Sequence, residues 1–126
     1  MNTAKDLLMQ RTPENVLEDY GYVFAKGLLE WKQVFVFPAV NDHAEVRIVT
    51  ESNSSQYVEP RKFVVKVFID TDVVRSVTHP SWSLYANKSF HVSMLERLLA
   101  QIAEKVTALQ DNIHPAYDLA MFVAPP

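Results

Sequence analysis

The sequence predicts an α+β fold in two layers, an antiparallel sheet of three to five strands with two main helices packed on one face. Three observations carry this expectation. Apolar residues recur at helical spacing over residues 13–32, and again over 93–112. Between them lie β-branched and aromatic runs at 34–40, 43–50 and 61–70, separated by polar turn residues. With 126 residues and no repeat, linker or low-complexity tract, positions 1–126 read as a single domain.

The elements follow in order. Thr3 is placed to cap a short helix at 4–10, with Leu7 and Leu8 as its apolar side. Thr12-Pro13-Glu14 is a fuller start signal, with a capping hydroxyl, a proline at the first helical position and an acid in the first turn. Behind it Val16, Leu17, Tyr20, Val23, Phe24, Leu28 and Trp31 keep helical spacing, so one helix is expected over 13–32, bent where Gly21 or Gly27 weakens it. Residues 34–40, VFVFPAV, leave neither face polar and are expected to be a strand buried on both sides. In 43–50, Ala44, Val46 and Ile48 alternate with Glu45 and Arg47. In 61–70, Phe63, Val65, Val67 and Ile69 fall on one face, with Lys62, Lys66 and Asp70 on the other. The two strands share one wet face, and residues 50–60 form a polar loop between them. A turn at Asp70-Thr71-Asp72 leads into VVRSV, a short helix or fourth strand.

Ser93 and Glu96 have the spacing of a capping box at the head of the helix over 93–112. Leu95, Leu99, Ile102, Val106, Leu109 and Ile113 step by four, three, four, three and four. That run is under three heptads, which favours a core helix lying on the sheet over a helix–helix dimer seam. His114-Pro115 ends the helix, and the apolar run 119–123 reads as an edge strand.

Composition removes several function classes. The chain has no cysteine, so disulfides, thiol nucleophiles and thiolate metal sites are excluded, and a reducing cytoplasm is the expected setting. Two glycines are too few for any glycine-rich phosphate loop. A net charge of −3 supplies no global field for nucleic acid or an anionic membrane. The first eleven residues lack the apolar core of a secretory signal, and no run approaches the roughly 18 apolar residues that cross a bilayer. The helix over 13–32 carries Glu14, Glu18, Asp19 and Glu30 against Lys26 and Lys32, the wrong sign for a membrane surface. His43, His79, His91 and His114 never fall three or four residues apart, so no metal is expected, and nothing implies a cofactor. There is no nucleophile elbow, and the acids at turns and at the helix start read as solvated caps, so catalytic residues are not assigned.

Two surfaces remain as candidates. The segment HPSWSLYANKSFH, residues 79–91, reads as a loop; Trp82 and Tyr85 are either anchors onto the core or, with Lys88 and His91, a recognition surface for another protein. Tyr57 in the polar loop joins that protein-binding set. The alternative is a nucleic-acid-binding face made of Arg47, Lys62 and Lys66 with Phe68 as a stacking platform, unless Glu45 and Asp70 neutralise it. A third reading is a small-ligand binder or hydrolase with a pocket between helices and sheet, lined by Trp31, Tyr20 and a histidine. The preferred reading is a small non-enzymatic accessory protein acting through protein–protein contacts, and a homo-oligomer, a dimer first, because an apolar sheet face left bare is a liability. Compact domains without a motif are frequent among phage and mobile-element inhibitors and assembly factors, a description this sequence fits without further detail.

Overall fold

The computed structural model of the chain describes residues 11–51, 58–70 and 81–126. The expected short helix at 4–10, Tyr57, His79 and the segment after Asp70 lie outside the described residues. Thr12 opens the first helix as the sequence implies: its hydroxyl accepts from the Asn15 amide at 3.1 Å, and Pro13 takes the first helical position.

That helix, α1, is Pro13–Asp19, much shorter than the 13–32 expected. It stops in a Schellman turn. The Tyr22 amide donates to the Leu17 carbonyl at 2.9 Å and the Gly21 amide to Glu18 at 3.0 Å, with Gly21 at φ 89°. A residue with a side chain is disfavoured there, so Gly21 is the end of the helix rather than a bend in it. The residues beyond form a hairpin: β1 is Val23–Ala25 and β2 is Glu30–Phe37.

Strand β2 corrects a second expectation. Phe35 and Phe37 turn inward, whereas Val34 and Val36 are 47% and 48% exposed on the other face. The strand is therefore alternating and one face is open; a short 3-10 turn at Pro38–Val40 ends it. Strand β3, Asp42–Thr50, and strand β4, Lys62–Asp70, follow the alternation in the sequence, with Ala44, Val46, Ile48, Phe63, Val65 and Val67 fully buried.

Residues 82–91 are not a loop. Trp82–His91 is β5, which completes an antiparallel meander in the order β1-β2-β3-β4-β5. Its polar composition suits an edge strand, which packs on one neighbour only. Helix α2 is Leu95–Ala108. The Ser93–Glu96 capping box is not formed: His91 Nδ1 instead accepts from the Ser93 amide at 3.2 Å and caps the 3-10 turn Val92–Met94 that precedes α2.

Leu95, Leu99, Ile102 and Leu109 are buried in the core, and Ile113 is left 79% exposed, so the heptad-like seam is spent inside the protomer, where α2 packs against the neighbouring helices. The run expected as an edge strand at 119–123 belongs to a third helix, α3, Pro115–Val123, with Pro115 in its first turn. The Asp42 carboxylate ties it to the start of β3, accepting from the Ala116 amide at 3.0 Å and the His43 amide at 3.1 Å.

All three helices share one core with the inward face of the sheet, from Val16 and Leu17 through Trp31 and Phe63 to Leu119 and Val123. The α+β architecture read from the sequence is thus present, with two main layers, and among the described residues no helix packs on the second face of the sheet. No helix among the described residues is long and apolar enough to cross a membrane.

Candidate functional site

The open face of the sheet is set by strand register, because directly paired residues point to the same side. One row across the strands is Val23, Lys32, Arg47, Lys66 and Asn87. Beside it runs Val34, Glu45, Phe68 and Leu84. Nearer the end of β4, Asp70 pairs with Trp82, while Val36 pairs with His43.

The charges on this face satisfy one another. Arg47 binds Glu45 through Nε and approaches Glu30 at 3.9 Å. Lys66 Nζ donates to Glu30 at 3.2 Å, and Lys32 lies 3.6 Å from Glu45. The Arg47 and Lys66 side chains are only 17% and 16% exposed, and the Glu45 carboxylate is buried. Partial burial makes the loss of one partner costlier here than at an ordinary surface ion pair, because it leaves a charge uncompensated. Within this network Glu30 Oε2 is a buried acceptor without a hydrogen bond.

Around the network lies an apolar surface. Val23, Val34, Val36 and Leu84 are each about half exposed or more. Phe68 lies among them with the Arg47 guanidinium 3.9 Å above its ring centroid. Trp82 is half-buried at the same end.

The structure brings the four nucleic-acid candidates Arg47, Lys62, Lys66 and Phe68 to one face, as the alternation implied. It also ties each cation to a carboxylate, Lys62 to Glu59 at 2.8 Å, and covers the Phe68 ring with Arg47. The protein-binding candidates are divided instead. Trp82 lies on the open face, and His91 opposes Lys62 and serves as a cap. Tyr85 is the extra residue of a bulge between Leu84 and Ala86; on the helix side it meets Tyr117 edge-on at 6.3 Å. Lys88 pairs with Val65, also on the helix side, with Nζ 5.3 Å from the Phe90 ring.

Of the residues foreseen to line a pocket, Trp31 is buried in the core and packs on Phe24 with ring centroids 5.3 Å apart, and Tyr20 is partly buried against the same core. A separate cavity of about 470 Å³ opens between α1, the 3-10 turn before α2 and the β3–β4 end, lined by Pro13, Thr50, Glu51, Lys62, Phe63, Val92 and Leu95. It holds no histidine among these residues. No group of three or more His, Asp or Glu stands close enough to hold a metal among the described residues.

The sequence reading missed Glu30, Lys32, Val34, Val36 and Leu84 as members of this face. The signal was the alternation E-W-K-Q-V-F-V-F over 30–37, masked by the helical spacing upstream. Comparison of the chain with family models, with curated proteins and with solved structures finds no match in any of the three.

Proposed function

We propose that this chain is a non-enzymatic protein-contact module that works through the open face of its sheet in a cytoplasmic setting. The observation that carries the reading is the combination on that face of exposed Val34, Val36 and Leu84 with a charge network closed on itself. Exposed apolar side chains set around polar groups whose partners lie on the same face make a surface suited to contact with another protein. Cations already held by carboxylates have little left to offer phosphate, because binding nucleic acid would first require breaking those pairs. Trp82, at the end of the same face, supplies the kind of aromatic anchor that dominates contact energies.

A photo-crosslinking amino acid placed at Leu84, and separately at Ile113 on the helix side, tests the reading in cells. A protein adduct is expected from position 84 and not from 113. The absence of any adduct at 84, or equal adducts at both positions, overturns it.

A further inference from the structure

The occupant of the open face can be narrowed by its charge, its size and the state of the sheet edges. Lys32, Arg47, Lys62 and Lys66 are balanced by Glu30, Glu45 and Asp70 on the face and by Glu59, which pairs with Lys62, so the surface has no net sign to offer a strongly charged partner. A neutral, half-apolar sheet fits another neutral, half-apolar sheet. The network is also already largely withdrawn from water, so covering it adds little desolvation cost.

Four long strands at about 4.8 Å spacing, eight or so residues long at about 3.4 Å rise, with the short β1 beside them, span roughly 600 Å² of sheet, on which Val49, Glu45 and Asp70 are already buried within the protomer. Two such faces stacked bury at most about 1,200 Å², the size of a weak or transient contact. The alternative route to self-association, strand addition at an edge, is guarded. β1 has three residues, and β5 carries the Tyr85 bulge and Lys88, devices that discourage a further strand.

We infer that a second copy of this chain covers the open face, giving a symmetric dimer in which two sheets pack face to face with the helices outermost. Aligned sheets of this kind stack about 10 Å apart with their strands within about 30° of each other. Val34 and Val36 on β2 and Leu84 on β5 supply apolar contacts on either side of the charge network, and the contact is isologous, the same patch on both protomers. This inference rests on the face being a protein-contact surface, the reading proposed above.

Light scattering on the purified chain at about 100 µM tests it, a concentration suited to a micromolar contact of this size. The wild type is expected at twice the 14.4 kDa chain mass. Leu84→Asp is expected at the single-chain mass, as is Val36→Asp, which serves if the first variant folds poorly; both positions are about half exposed in the protomer. Ile113→Asp, on the other side, is expected to remain dimeric. A monomeric wild type overturns the inference, as does a dimer that survives both open-face variants. The two failures are distinct: a monomer whose Leu84 crosslinks to a different protein leaves the contact reading standing, whereas a monomer with no adduct at Leu84 removes both.

Discussion

Removing the hydroxyl of Tyr22 should stabilise the protein. Tyr22 is 3% exposed at the end of the Schellman turn, and its hydroxyl has no hydrogen-bond partner among the described residues. A buried hydroxyl without a partner costs about 1–3 kcal/mol in lost hydration. Phe keeps the ring in the core while dropping that cost, so Tyr22→Phe is expected to gain about 1 kcal/mol at neutral pH, measured by urea denaturation.

A second signature appears in alkali. Burial disfavours the phenolate and pushes the Tyr22 pKa well above its ordinary value. Above about pH 10 the unfolded chain releases this proton and the folded chain keeps it, so the wild type loses stability with rising pH at about 1.4 kcal/mol per unit. Tyr22→Phe lacks that term, and its advantage over the wild type should widen from pH 10 upward. A variant destabilised by more than 1 kcal/mol at pH 7, with no widening in alkali, would show that the hydroxyl holds an ordered water and would refute the reasoning.

Other consequences follow from the same geometry. Gly21→Ala places a Cβ at positive φ and 2.9 Å from Gln33 Nε2, and should cost about 1–2 kcal/mol; Gly27→Ala meets open space and should stay within about 0.5 kcal/mol, both read from denaturation midpoints. Glu45→Gln removes the carboxylate shared by Arg47 and Lys32 and should cost about 1–3 kcal/mol, with little effect from Lys62→Gln, whose Glu59 pair is exposed. The wild type should show no salt-dependent binding to single-stranded DNA in a low-salt titration, whereas Glu30→Gln combined with Glu45→Gln should acquire some, because Arg47, Lys66 and Lys32 lose their carboxylate partners.

The parts of the fold that sequence made legible are those where one periodicity had no rival. Strands β3 and β4 alternate cleanly, and Leu95 through Leu109 can only be a buried helical stripe at that length. The failure between residues 20 and 37 has a geometric cause. Phe24 and Trp31 are seven apart, which is two helical turns, but they are also direct partners across a hairpin with a four-residue turn. The two glycines were the better guide there than the apolar spacing.

The run 119–123 is too short for its period to be read, and Pro115 was the usable signal for α3. Trp82, Tyr85, Lys88 and His91 looked like one surface because they are close in sequence; in a strand, neighbours in sequence alternate between faces, and a bulge shifts that alternation. The open face itself was half visible, since Arg47, Lys66 and Phe68 are set by alternation alone. Its apolar members on β2 and β5 depended on strand assignments that local pattern did not supply.

Hydroxyl-radical footprinting across a dilution series most directly tests whether the open face is the interface. Side-chain labelling at Val34, Val36 and Leu84 should fall as the concentration rises into the range where the dimer forms, while Ile113 and Tyr117 label equally throughout. Labelling of the three open-face residues that does not change with concentration, or protection that appears at Ile113 and Tyr117 instead, would contradict the account.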